Sequence, residues 1–262
     1  MSAETPLRQE VDARGIARLV LDRPEKGNCY NQAMLDGLAA AVDRIAADPA
    51  VRVVVVRGEG KHFCVGAEIG APEPPPSATR ATIPGVCHAL DMLAKPTIAF
   101  VHGACIGGGL ALVSCCDVVI ASPDAFFSLP EVRLGFAPGP LIPFFLRAIE
   151  PRGLRRYLLT GERFKADEAM RLGLVHQVCA TGAGDETLES LIDEALLAGP
   201  GAVAQAKRLL RELAGTPVSP ALLSELQHEF DILFKSPEAA EGRASFRDKR
   251  RPAWYPAPAP KP

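Results

Sequence analysis

Three consecutive glycines, Gly107 to Gly109, stand between a segment typical of a buried strand and a segment typical of a helix. Glycine costs roughly 0.5–1 kcal/mol relative to alanine inside regular structure, so three together indicate a special backbone conformation or a close approach. The spacing fits neither the phosphate loop G-x-x-x-x-G-K-[ST] nor the dinucleotide motif G-x-G-x-x-G. Because the first N–H groups of a helix are unpaired, this junction could stabilise a bound anion, or an oxyanion that forms during a reaction.

A second small-residue turn, Val65-Gly66-Ala67, follows the β-branched run "VRVVVVRGEG". Two such turns after neighbouring parallel strands would lie at the same carboxyl edge of the sheet, where ligands of α/β proteins usually bind. One N–H group from each turn could then hold a single carbonyl oxygen. The alternative is that both segments are ordinary tight turns.

Glu131 is the candidate acid or base, because it follows a proline in a region with no other acidic residue between Asp124 and Glu150. In an apolar pocket, desolvation would raise the pKa of this carboxylate toward a range useful for proton transfer. The alternative is a surface acid, or a first-turn glutamate of a short helix.

The elements that must position these residues alternate between strand and helix in the N-terminal half. Buried strands are predicted at "IARLVLDRP", "VRVVVVRGEG", "PTIAFVHGACIG" and "DVVIASP", and helices at "NQAMLDGLAAAVDRIAAD", "IPGVCHALDMLAK" and "GGLALVSCC". This rhythm predicts parallel strands with right-handed crossovers. Beyond residue 143 the pattern is almost entirely helical, and the four prolines of residues 70–80 predict a surface loop or lid.

Composition excludes several classes of protein. The 262 residues carry a formal net charge of −2, without a basic tract that would indicate nucleic-acid binding. No leader and no apolar run of about 18 residues is found, so we expect no membrane segment and a cytoplasmic location. The seven cysteines include no C-x-x-C pair and the histidines no zinc-binding spacing, so buried thiols are expected rather than a metal site or disulfides.

Five segments in register resemble the crotonase (enoyl-CoA hydratase/isomerase) superfamily: "LDRPEKGNCYN", "GEGKHFCVGAEI", "HGACIGGGLALVSCCDVVIAS", "PEVRLGFAPG" and "TGERFKADEAMRLGLV". The resemblance runs from about Ile16 almost to the C-terminus. It implies an α/β crotonase fold of repeated ββα units, with a core over residues 1–195. It also implies a helical region over residues 196–262 that covers the active site and forms a homotrimer or hexamer. The implied substrate is an acyl-CoA thioester, with coenzyme A as part of the substrate and with no cofactor or metal.

The resemblance also implies roles for individual residues. The backbone N–H groups of Val65 and Gly108 would form an oxyanion hole, and Glu131 would be the catalytic acid and base. Arg23 and Lys26 would flank the phosphates of coenzyme A. The nucleotide and pantetheine path would be lined by Val65, Gly66, Ala67, Glu68, Ile69 and Gly108, and a weaker candidate for a phosphate contact is Lys249.

Ala111 departs from the family pattern, because the best-known hydratases carry a second glutamate there. A bound water or another polar group would have to replace that acid. The segment "GFAPGPLIPFFLRAIEPRGLRRYLLTGERF" resembles a bacterial branch of methylglutaconyl- and isohexenylglutaconyl-CoA hydratases, which favours hydration of an enoyl-CoA. The alternatives are a one-glutamate Δ3,Δ2-enoyl-CoA isomerase, a decarboxylase or dehydratase of polyketide intermediates bound to an acyl carrier protein, and a non-catalytic scaffold.

Overall fold

The computed structural model describes residues 6–70 and 80–256, which form two β-sheets surrounded by helices. Most of the predicted loop or lid, residues 71–79, therefore lies outside the described residues. The strands are β1 (Leu7–Val11), β2 (Ile16–Leu21), β3 (Val53–Gly58), β4 (Thr97–Val101), β5 (Ala104–Ile106), β6 (Val118–Ala121), β7 (Phe126–Ser128), β8 (Phe164–Lys165) and β9 (Gln177–Val178).

The larger sheet has the strand order β1-β2-β3-β4-β6-β9. β1 is antiparallel to β2, and every other neighbouring pair is parallel, as the alternating pattern predicts. The residues of β4 and most of those of β3 are buried, because helices cover both faces of a parallel sheet. The β-branched run of β3 is therefore a central strand, and its carboxyl end leads toward the Val65–Ala67 turn.

The segment "PTIAFVHGACIG", predicted as one strand, is two strands in different sheets. β4 ends at Val101, and β5 begins at Ala104 in a smaller sheet of order β5-β7-β8. Gly103 lies between them with φ +55, and a Cβ atom there would overlap the carbonyl oxygen of Lys61. The single-strand prediction is wrong because this glycine makes a left-handed turn that other residues rarely adopt.

The predicted helices of the N-terminal half are confirmed. The first begins after Asn31, whose side chain accepts a hydrogen bond from the N–H of Met34 at 3.0 Å. The helices are α1 (Gln32–Ala47), α2 (Ile83–Met92), α3 (Gly108–Ser114), α4 (Ile142–Ala148), α5 (Pro151–Thr160), α6 (Ala166–Arg171), α7 (Gly184–Leu197), α8 (Pro200–Leu213), α9 (Pro220–Phe234) and α10 (Pro237–Arg247).

The larger sheet separates two hydrophobic cores. Val54 and Val56 face the larger core together with α1, α2 and α3, whereas Val53 and Val55 face a smaller core that includes residues of α7. This alternation follows from the two-residue period of a strand. All seven cysteines are free thiols and all except Cys116 are buried, as predicted.

A buried lysine connects the C-terminal helices to the larger sheet through hydrogen bonds. Lys207 on α8 donates hydrogen bonds to Asp117 Oδ2 at 2.6 Å and to the Lys95 carbonyl oxygen at 3.0 Å. The predicted division after residue 195 falls within the last turn of α7 and stays a prediction. In the described ranges, no helix combines the length and apolarity needed to cross a membrane.

Candidate active site

A cleft of about 350 Å³ lies beside the three glycines. The Val65–Ala67 turn, Gly107, Gly108 and Glu131 all line it, so the structure brings together the three segments singled out in the sequence. Within the described ranges, the lining is apolar except for backbone groups and two titratable side chains, Tyr30 and Glu131. A largely dry cleft with a few polar groups is typical of small-molecule sites.

Each residue of the glycine triplet, Gly107–Gly109, permits a different close contact. A Cβ atom on the first glycine, whose φ is +55, would lie 2.5 Å from Glu131 Oε1. On the second, it would overlap the hydroxyl oxygen of Tyr30, and on the third it would lie 2.8 Å from Cys64 Cβ. The triplet is therefore required because two cleft side chains and a core side chain pack directly on its backbone.

Glu131 lies in a short 3-10 helix, Pro130–Leu134, that follows β7 and ends at Gly135 with φ +87. It is in the first turn, but its side chain is buried, since the residue is only 9% exposed. Its Oε2 atom is buried and accepts no hydrogen bond from the described part of the chain. Burial raises the pKa of this carboxyl group above its ordinary value, because desolvation disfavours the charged form.

The N–H group of Val65 is not available to a ligand, which corrects the expected oxyanion hole. It donates to the carbonyl oxygen of Gly27 at 3.0 Å. The N–H of Glu68 donates to the Tyr30 carbonyl oxygen at 3.0 Å, so the N–H of Ala67 faces the opposite side of this extended segment. No described residue accepts a hydrogen bond from the Ala67 N–H, and Ala67 lines the cleft.

Gly108 is the first residue of α3, and its N–H has no acceptor in residues 6–70 and 80–256. The preceding glycine is held in place because its N–H donates to the Ser128 carbonyl oxygen at 3.0 Å. This bond joins the glycine triplet to the segment that carries Glu131. Ala67 and Gly108 therefore present unengaged N–H groups on the cleft wall, near one buried carboxylate.

Arg23, Lys26 and Glu68 form a cluster next to the cleft. Arg23 Nη1 lies 3.0 Å from Glu68 Oε2, and Lys26 Nζ lies 2.5 Å from Glu68 Oε1. Hydrogen bonds from these two cations lower the pKa of the Glu68 carboxyl to about 2. The two candidate phosphate contacts thus share one carboxylate, and Ile69 beyond them lines the cleft with 79% of its surface exposed.

Two other residues singled out in the sequence lie away from the cleft. Lys249 is exposed, follows α10 with φ +52, and is not part of the cleft lining within this chain. Ala111 is fully buried in the larger core and does not reach the cleft either. Tyr30, by contrast, has a place in the cleft that the sequence does not indicate, because a single aromatic residue ahead of a helix belongs to no spacing pattern.

The sequence matches a known family over most of its length. Residues 12–256 match the model of the enoyl-CoA hydratase/isomerase family. The chain belongs to this family. Its relatives include crotonyl-CoA hydratase from Syntrophomonas wolfei, which is 32% identical over 246 residues, or 90% of this chain and 93% of that protein. Another relative, 2,3-dehydroadipyl-CoA hydratase from Escherichia coli, is 31% identical over 89% of this chain and 92% of that protein.

The solved structure of an enoyl-CoA hydratase from Mycobacterium smegmatis is similar to this one, with a TM-score of 0.87 and 32% identity. The match covers 96% of this chain and 99% of that chain. The predicted crotonase fold is therefore confirmed, and the protein is an enzyme of the hydratase-like lyase type. An acyl-CoA substrate is consistent with this family.

Proposed function

We propose that this protein adds water across the double bond of an α,β-unsaturated acyl-CoA thioester. One observation carries the proposal: the buried Glu131 carboxylate and the unengaged N–H groups of Ala67 and Gly108 lie on the wall of the same apolar cleft. A carboxylate with a raised pKa can transfer a proton, and backbone donors can stabilise a developing oxyanion. Both requirements of enolate chemistry are thus present in one site.

In the proposed reaction, the thioester oxygen accepts hydrogen bonds from Ala67 and Gly108. Glu131 takes a proton from a water molecule as the water oxygen forms a bond to C3. The electron pair of the C2–C3 double bond moves toward the thioester oxygen, which becomes an enolate oxygen. The enolate then takes the proton from Glu131 at C2, and this step restores both the thioester and the carboxylate. Each backbone donor contributes roughly 3–4 kcal/mol to such a transition state.

Coenzyme A is proposed to enter past the cluster of Arg23, Lys26 and Glu68, with its phosphates near the two cations. The segment from Gly66 to Ile69 connects this cluster to the cleft, which supports its role as the pantetheine path. Lys249 is not part of the cleft lining in one chain. A phosphate contact from Lys249, in the same chain or from another protomer, stays a proposal.

The cleft lining favours an uncharged acyl group. No lysine or arginine is part of the described lining, and residues 71–79 contain no basic residue in the sequence. A glutaconyl-type acyl group would bring a second carboxylate, which is costly to bury without a cation. We therefore propose that the likeness to methylglutaconyl- and isohexenylglutaconyl-CoA hydratases reflects the backbone of the 135–164 segment rather than a shared carboxylated substrate.

The test is a substrate screen with short, branched and carboxylated 2-enoyl-CoAs, read by mass spectrometry. We expect products heavier by one water from uncharged substrates, and a rate about 10²- to 10⁴-fold lower in Glu131→Gln. Glu162→Gln, which changes a half-buried carboxylate that pairs with Arg156 outside the cleft lining, is the matched control and should keep full activity. Hydration that survives Glu131→Gln, or no hydration of any substrate, would contradict the proposal.

A Δ3,Δ2-enoyl-CoA isomerase is the second candidate, because the cleft lining holds a single described carboxylate and Ala111 is buried behind it. One carboxylate is sufficient to move a proton from C2 to C4. Adding 3-enoyl-CoAs to the screen separates the two reactions, since isomerisation moves the double bond without a change in mass. Acyl-pantetheine and carrier-bound substrates, added in the same way, test the alternative of a decarboxylase or dehydratase that acts on intermediates bound to an acyl carrier protein.

Trimerisation through the C-terminal helices is also proposed. Large apolar side chains are exposed on α8, α9 and α10, among them Leu210, Phe230, Ile232, Phe234 and Phe246. Exposed apolar surface of this kind is typical of a contact between chains. Sedimentation velocity should give the mass of three or six chains, whereas a monomer would contradict this assembly.

A further inference from the structure

The Tyr30 hydroxyl is a polar group in the cleft with no assigned role. Tyr30 lines the cleft, and its ring packs partly against the larger core. The hydroxyl forms no hydrogen bond with any residue that the structure describes, although Tyr30 is only partly exposed and a tyrosine hydroxyl usually finds a partner when it is buried. It is therefore free to bind a molecule that enters the cleft.

The backbone of Tyr30 fixes this hydroxyl relative to the proposed oxyanion donors. The Tyr30 N–H donates to the Gly66 carbonyl oxygen at 2.9 Å, and the Tyr30 carbonyl oxygen accepts from the Glu68 N–H at 3.0 Å. Ala67 lies between these two bonds. At the other end of the side chain, the ring and hydroxyl pack on the α-carbon of Gly108, where a Cβ atom would be 2.7 Å from Tyr30 Cε1. Tyr30 thus contacts both donor segments: its backbone bonds to the segment that contains Ala67, and its side chain packs on Gly108.

Tyr30 and Glu131 pack on adjacent residues of the glycine triplet. The hydroxyl packs on Gly108 and the carboxylate on Gly107, whose α-carbons are about 3.8 Å apart across the peptide bond. No hydrogen bond joins the two side chains within the described residues, yet the carboxylate contributes to the raised pKa of Tyr30, after burial and the Cys64 thiol. The phenol therefore remains protonated and adds no second negative charge beside Glu131.

The hydroxyl lies on the helix face from which a longer side chain at position 111 would project. Residues three apart share a face of an α-helix, so Gly108 and Ala111 are neighbours on α3. Both are small; Tyr30 packs directly on Gly108, and Ala111 belongs to the larger core against which Tyr30 also packs.

We propose that the Tyr30 hydroxyl binds the attacking water beside Glu131 and so replaces the polar group that Ala111 lacks. This inference rests on the proposed hydration. One hydrogen of the water is taken by Glu131 and later delivered to C2. The phenol oxygen accepts a hydrogen bond from the other hydrogen, which stays on oxygen and becomes the hydroxyl hydrogen of the 3-hydroxyacyl product. Tyr30 itself neither gains nor loses a proton.

The test compares hydration with a reaction at the same site that needs no water as nucleophile. That second reaction is exchange of the C2 hydrogens of a saturated acyl-CoA with D₂O, which requires the carboxylate and the oxyanion donors only. In Tyr30→Phe, we expect kcat for hydration to fall by about 10- to 100-fold, as for loss of one hydrogen bond to a group that develops charge. KM and the exchange rate should remain within about twofold of the unmodified enzyme.

Two further variants distinguish a failure of the Tyr30 assignment from a failure of the proposed function. Tyr157→Phe removes a hydroxyl that donates to Glu168 Oε1 at 2.8 Å away from the cleft, and it should change neither reaction. Glu131→Gln should lower the rates of both reactions by about 10²- to 10⁴-fold if the proposed function holds. Retention of hydration in Glu131→Gln would overturn the proposed function itself. If Glu131→Gln is inactive but Tyr30→Phe keeps full hydration, or loses hydration and exchange equally, the assignment of Tyr30 to the water is wrong.

Discussion

The carboxylate of Glu131 lies directly on the α-carbon of Gly107, where a Cβ atom would be 2.5 Å from Oε1. This glycine also has φ +55, a backbone conformation that a side chain makes costly. The position of the proposed acid and base therefore depends on the absence of a side chain at residue 107. Gly107 therefore permits the backbone turn and also leaves room for the Glu131 carboxylate.

Gly107→Ala should therefore move the carboxylate. We expect a stability loss of about 1–3 kcal/mol from backbone strain and a fall in kcat of about 100-fold, because small misplacements of reacting groups are that costly. Gly182→Ala is the matched control, since Gly182 has φ +80 but no atom within 4 Å of its Cβ position. Chemical denaturation would measure the stability of both variants, and steady-state kinetics would measure their kcat. Equal effects on kcat in the two variants would refute the role of the contact between Gly107 and Glu131.

The oxyanion donors can be tested by exchanging single backbone amides for esters, which removes an N–H without altering the side chain. An ester at Ala67, introduced with lactic acid, should lower kcat by about 10²- to 10³-fold. The same exchange at Val65, introduced with 2-hydroxyisovaleric acid, should lower stability by about 1 kcal/mol, because that N–H bonds to Gly27. A larger kcat loss at Val65 than at Ala67 would restore the assignment made from the sequence.

Much of the fold could be predicted from sequence because its signals are local. The apolar run of β3 and the Asn31 cap of α1 each identify an element without reference to the rest of the chain. Apart from the local turn at Gly103 that divides β4 from β5, the errors concern contacts between distant segments. The bond from Val65 to Gly27 and the packing of Tyr30 on Gly108 depend on tertiary structure, which no motif spacing encodes.

Burial of Glu131 should appear in the pH dependence of both activity and stability. Because its folded pKa is raised, the carboxylate forms only above the ordinary glutamate value of about 4.3, and kcat/KM should rise with pH to a midpoint above it. The folded state holds this proton more tightly than the unfolded state, so the Glu131 contribution to stability is lost as pH rises through the folded pKa. Activity and stability should change in opposite directions over this interval.

Glu131→Gln should accordingly be more stable than the unmodified enzyme at neutral pH and equally stable below about pH 4, where both states are protonated. Each kcal/mol recovered corresponds to roughly 2–4 °C in Tm for a chain of this size. Calorimetry across pH 4–8 would measure the difference, with Glu162→Gln, outside the cleft lining, as the control. A stability difference that does not change with pH would show that the carboxylate is not buried in its charged form.

Removal of the shared carboxylate of Glu68 should strengthen binding of coenzyme A. Glu68 offsets one of the two positive charges of Arg23 and Lys26, and its pKa of about 2 keeps it charged at neutral pH. Without it, the two cations would present a stronger positive potential to the phosphates. Calorimetric titration of Glu68→Gln with coenzyme A should give a lower Kd at low salt, and the gain should shrink as added salt screens these exposed charges.

The control for this experiment is Glu241→Gln. Glu241 is also a carboxylate with a pKa of about 2, lowered mainly by a hydrogen bond from Arg250, but it lies on α10 outside the cleft lining. It should leave the affinity for coenzyme A unchanged at every salt concentration. Weaker binding in Glu68→Gln would mean that the carboxylate mainly orients Arg23, and equal binding would mean that the phosphates do not approach these two cations.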